Sequence, residues 1–109
     1  MTIELEEVQT FTGEIANGAS ESLELETAPD HTLQVLLDDG SGGLPPAYDL
    51  LIEYYVPALD AWMAYTSVDN AESPSFEVDV RAARARVTIT GVSGAAAQYR
   101  IAAQSFRDF

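Results

Sequence analysis

Apolar and polar residues alternate with a period of two along most of the chain. In Thr2 to Glu6, Ile3 and Leu5 alternate with Glu4 and Glu6. In Ser22 to Thr27, Leu23 and Leu25 alternate with Glu24 and Glu26, and in Ser75 to Val80, Phe76, Val78 and Val80 alternate with Glu77 and Asp79. Successive side chains of a strand point to opposite faces of its sheet, so the pattern predicts half-buried strands with the acids on the wet side. Thr32 to Asp38, Asp49 to Val56, Ala61 to Ser67, Arg84 to Thr90 and Gln98 to Ser105 are further strand candidates. Tyr48, Leu50, Ile52, Tyr54 and Val56 make one apolar face, opposite Asp49, Leu51, Glu53 and Tyr55.

Turn residues punctuate these runs. Pro57-Ala58-Leu59-Asp60 predicts a hairpin between the Tyr48 to Val56 run and the Trp62 run. Asn17-Gly18, Ala28-Pro29-Asp30, Asp39-Gly40, Ser73-Pro74 and Gly91 to Gly94 mark the other connections. Ala95 to Phe106 reads two ways, being rich in the helix formers Ala and Gln. A helix would gather Tyr99, Ala103 and Phe106. A strand would turn Tyr99, Ile101 and Ala103 inward, with Arg100 and Gln104 outward. The strand is favoured, because Val87-Thr88-Ile89-Thr90 and the following glycine turn read as half of a hairpin. About eight short strands at near-even spacing predict an all-β fold: an antiparallel β-sandwich, jelly-roll or immunoglobulin-like, with residues 1–109 as one domain.

Charge narrows the function. The chain holds 18 Asp and Glu, 5 Arg, no Lys and no Cys, for a net charge of −13. Disulfides, zinc ribbons and thiol nucleophiles are excluded. Phosphate backbones and anionic membrane surfaces are repelled, so neither nucleic acid nor membrane is an expected partner. No apolar run approaches the ~18 residues of a membrane span, and no basic-then-apolar leader opens the sequence. Dense carboxylates without Lys suit concentrated salt, where screening removes their mutual repulsion. The charge is also segregated. Residues 1–80 carry −17, whereas residues 81–109 carry +4 from Arg81, Arg84, Arg86, Arg100 and Arg107 against Asp108. The two halves either neutralise each other within the fold or form complementary surfaces.

No catalytic set emerges. His31 is the only histidine, placed at a turn beside Asp30 and without a nucleophile motif around it. Neighbouring acids such as Asp38 with Asp39 are expected by composition alone. Asp38-Asp39-Gly40-Ser41-Gly42 lacks the ligand order and distal Glu of a calcium loop. Catalytic residues, cofactor and specific metal are therefore all expected to be absent. Asp39 to Pro46, loosened by three glycines and stiffened by two prolines, is either a plain connection or a contact loop. Among the clustered aromatics Tyr48, Tyr54, Tyr55, Trp62 and Tyr65, core packing is the first role, and Tyr55 and Tyr65 are the candidates for exposure. Arg84 and Arg86 share the outward face of one predicted strand. If that strand forms a hairpin with the next, Arg100 joins them in a three-arginine patch. The candidate interface is thus Arg84, Arg86, Arg100, Tyr55 and Tyr65, unless Glu77, Asp79 and other acids of adjacent strands neutralise the arginines within one subunit.

From Leu33 to Phe106 the chain resembles small β-sandwich virion proteins of tailed viruses. The resemblance is carried by Leu50-Leu51-Ile52-Glu53-Tyr54-Tyr55, Ala61-Trp62-Met63-Ala64-Tyr65, Phe76-Glu77-Val78-Asp79-Val80, Arg84-Ala85-Arg86-Val87-Thr88-Ile89-Thr90 and Tyr99-Arg100-Ile101. It implies a non-enzymatic capsid decoration, turret or tail-associated subunit. With the salt-adapted composition, the virus would be one of halophilic archaea. The implied partners are copies of the chain itself and a major capsid or tail protein, and the implied location is the virion. The alternative is a glycan- or protein-binding sandwich module, extracellular or at a haloarchaeal cell surface.

Overall fold

The computed structural model describes residues 3–27, 31–80 and 82–108. Eight strands form: β1 (Ile3–Ile15), β2 (Ser20–Glu26), β3 (His31–Asp38), β4 (Tyr48–Val56), β5 (Ala61–Ala71), β6 (Ser75–Val80), β7 (Arg84–Gly91) and β8 (Ala97–Asp108). They make two antiparallel four-stranded sheets, ordered β1-β8-β3-β6 and β2-β7-β4-β5. Of the consecutive strand pairs, only β4 and β5 share a sheet, and every other connection crosses between sheets. Eight strands wound in this way make a jelly roll, which decides between the two predicted sandwich types.

The alternation builds the core directly. Leu33, Val35 and Leu37 of β3 and Tyr99, Ile101 and Ala103 of β8 face Tyr48, Leu50 and Ile52 of β4 and Ala85, Val87 and Ile89 of β7, all essentially buried. Ala95 to Phe106 is therefore not helical: β8 takes the inward set predicted for a strand. The two buried tyrosines each find an acceptor. The Tyr99 hydroxyl donates to the Ala47 carbonyl at 2.7 Å and the Tyr48 hydroxyl to that of Ser73 at 2.5 Å. Burial raises the pKa of both above the ordinary tyrosine value.

Three expectations are corrected. Gly91 to Gly94 is not a hairpin turn: β7 pairs with β2 and β4, and β8 pairs with β1 and β3. The loop instead carries the chain from one sheet to the other. It is tied down by Val92 N–H to the Ala47 carbonyl at 3.3 Å and by Gly94 N–H to Asn17 Oδ1 at 3.0 Å. The second correction is β1, which continues far beyond Glu6 and pairs with β8 as far as Ile15. The third is His31, which opens β3 instead of sitting in a turn. The Ala28-Pro29-Asp30 turn lies outside the described residues.

Candidate functional site

The register of the β2-β7-β4-β5 sheet sets out the charged rows of its outer face. Glu24 pairs with Arg86, which pairs with Glu53; Glu26 pairs with Arg84. The Arg86 guanidinium bonds Glu53 Oε1 at 2.9 and 3.0 Å, with the Glu53 side chain only 15% exposed. Glu24 lies 3.5 Å from Arg84 and 4.0 Å from Arg86.

Aromatic rings close the same face. Tyr55 and Trp62 are cross-strand partners, and their ring centroids lie 5.5 Å apart in edge contact. Arg86 stands 4.4 Å from the Trp62 centroid and Arg84 4.9 Å from that of Tyr55, distances at which a guanidinium is attracted to the ring. The Tyr55 hydroxyl donates to the Asp60 carboxylate, and this bond raises the tyrosine's pKa.

The opposite face of the β4–β5 hairpin is also aromatic. Tyr65 is the extra residue of a bulge, where Ile52 faces Thr66 but Glu53 faces Ala64. It falls out of phase, packs edge-on against Tyr54 with centroids 6.0 Å apart, and remains 53% exposed. Met63 beside it and Leu59 at the tip are also exposed. The hairpin thus shows apolar or aromatic surface on both sides and at its end. Between Tyr54 and Val68 the only charged residue is Asp60.

The three-arginine patch does not form. Arg84 and Arg86 project from the outer face of one sheet, while Arg100 projects from the outer face of the other. Arg100 is bound there to Asp38, with Nε 3.0 Å from each carboxylate oxygen. This guanidinium and the Gly40 N–H hold the Asp38 carboxyl below its usual range. The charge of Arg84, Arg86 and Arg100 is thus neutralised within the fold: β7 and β8 are each central strands flanked by acid-bearing ones. The neutralising acids are Glu24, Glu53 and Asp38, not Glu77 and Asp79, which lie on β6 against Gln34 and Thr32.

Of the predicted interface, Tyr55, Arg84 and Arg86 come together; Tyr65 lies across the hairpin from them and Arg100 on the far sheet. Trp62, Met63 and Leu59 belong to the surface and were not among the expected residues. The signal that finds them is a nearly uncharged window in a very acidic chain. The Asp39 to Pro46 loop is held from inside: Asp39 Oδ1 accepts from Ser41 N–H at 2.8 Å, Ser41 Oγ at 2.7 Å and Gly43 N–H at 3.0 Å. Among the described residues no group of three or more His, Asp or Glu converges as a metal site.

No family model matches the chain, and no curated protein does so by sequence. Its fold is similar to that in the crystal structure of Aeromonas hydrophila PliG, a periplasmic lysozyme inhibitor of g-type lysozyme, with a TM-score of 0.61 and 10% identity over 90% of this chain and 85% of that one. At that identity the likeness is one of fold. The expectation of a virion subunit on a capsid or tail is corrected by this finding: the solved structure that shares the sandwich is that of an inhibitor protein.

Proposed function

We propose that the chain is a non-enzymatic protein-binding module acting outside the cytoplasm, and that it holds its partner with the β4–β5 hairpin and the arginine-bearing face beside it. The observation that carries this reading is the exposed aromatic hairpin, with Asp60 as its only charge between Tyr54 and Val68, on a protein of net charge −13. Trp, Tyr and Arg are the residue types that supply most binding energy at protein interfaces. The fold shared with a periplasmic inhibitor supports a protein partner and an extracytoplasmic setting. A cationic partner fits best, because the net charge of −13 attracts and orients it while the hairpin supplies the contact.

The neighbour's partner names the protein to test first, a g-type lysozyme. Binding is measured by calorimetry beside an unrelated basic protein as control. The expected result is saturable binding to the lysozyme alone, weakened about tenfold or more by Trp62→Ala or Tyr65→Ala. No binding, or equal binding to the control with no effect of either substitution, overturns the reading.

A further inference from the structure

The outer face of the β1-β8-β3-β6 sheet has no part in the hairpin surface, and its chemistry is different. The two central strands present four cross-strand pairs there: Arg100 with Asp38, Ala102 with Leu36, Gln104 with Gln34 and Phe106 with Thr32. The first pair is an ion pair, the second sets a small residue beside a large one, and in the third Gln104 Nε2 donates to Gln34 Oε1 at 2.6 Å. Among the outward side chains described on these two strands, Asp38, already neutralised by Arg100, is the only acid, although the chain carries 18. Leu36 is 36% exposed beside a depression of about 480 Å³ lined in part by Thr10, Arg100 and Ala102.

We propose that this face is the contact between two copies of the chain, packed face to face about a two-fold axis running parallel to the strands between β8 and β3. The pairs are self-complementary under that operation. Each β8 lies over the other copy's β3, so Leu36 enters the depression over the second copy's Ala102, and the converse happens at once. The glutamines face glutamines, which can both donate and accept. The two ion pairs meet as a ring of four alternating charges. Charge also selects this axis over the in-plane one across the strands. Here Glu77 of β6 lies over the uncharged Val8 and Asp79 over the uncharged Leu5 of the other β1, whereas the other axis sets β6 against β6, acid against acid. A differently charged partner would find no counter-charge on this neutral centre, and another copy meets it without repulsion. Four strands spaced about 4.8 Å apart present a face of only several hundred Å² in projection, which points to a micromolar dimer.

Sedimentation equilibrium from about 1 to 200 μM in about 0.5 M NaCl, where the net charges are screened, tests the proposal. The wild-type chain dimerises, and Leu36→Glu weakens the dimer about tenfold or more with its β-type circular dichroism unchanged. Arg100→Asp and Asp38→Arg are each monomeric alone, and an equimolar mixture recovers a mixed dimer because opposite charges again face each other. Either a wild-type chain that remains monomeric, or a dimer that tolerates Leu36→Glu and yields no mixed recovery, overturns the proposal. The hairpin is untouched in every variant, so this outcome is independent of the test for the protein partner.

Discussion

Arg86 supports three neighbours at once. It bonds Glu53, approaches Glu24 and covers Trp62. Arg86→Ala leaves the half-buried Glu53 carboxylate without its partner and uncovers the indole. Stability falls by about 1–2 kcal/mol in urea denaturation, a figure kept below that of a fully buried pair because the Arg86 side chain is 27% exposed. The more exposed Arg84 costs less when replaced. Asp38 and Asp39 give the molecule an acid-sensitive loop. Arg100 lowers the pKa of the first, and Ser41 that of the second. A carboxyl depressed in the folded state contributes its stability in full above its unfolded value, near pH ~4, and loses it as the pH falls through the folded value. Melting temperature against pH therefore drops more steeply below about pH 4 for the wild type than for Asp38→Asn/Asp39→Asn.

The β4–β5 hairpin shows what an element can reveal in sequence and what it cannot. Its turn was legible, because Pro57 to Asp60 stands directly between two strand runs. Asp60 closes the turn in the left-handed region, at φ 47°, and its carboxylate accepts the Tyr55 hydroxyl. Asp tolerates that conformation and a β-branched residue does not, so Asp60→Val lowers stability by about 1–2 kcal/mol, measured by thermal or urea melting. Asp60→Gly, free of strain, loses mainly the Tyr55 bond. The glycines at 91 to 94 were read equally well as a turn, yet period-two alternation fixes the face of a side chain and not the sheet its strand joins. The arginine patch failed for that reason. The length of β1 was hidden because its pattern inverts: Val8 faces solvent, whereas Gln9 and Gly13 share a face with the buried Ile15. A bulge between Leu5 and Glu7 also breaks the phase. The bulge at Tyr65 likewise placed that ring on the other side of the hairpin from Tyr55. The candidate site was therefore legible residue by residue for Tyr55, Arg84 and Arg86, and legible as a surface only once the hairpin existed.

At the scale of the whole molecule, Arg84, Arg86 and Arg100 are held in intramolecular pairs among the described side chains, and 5 arginines in all confront 18 acids in a thin sandwich. The mutual repulsion of the acids opposes the compact state and is screened as the Debye length falls toward ~3 Å at 1 M salt. The melting temperature should accordingly rise from low salt to molar KCl or NaCl. A flat or falling value would remove the argument for a protein suited to concentrated salt. The central claim, however, is that an acidic sandwich presents a nearly uncharged aromatic hairpin to a protein partner. Hydrogen exchange on the chain, free and bound to a g-type lysozyme, tests it most directly. The account predicts new amide protection over residues 54–65 and the start of β7, with the 39–47 and 91–96 loops at the opposite end unchanged. Protection confined to those opposite loops, or none at all on mixing, would contradict it.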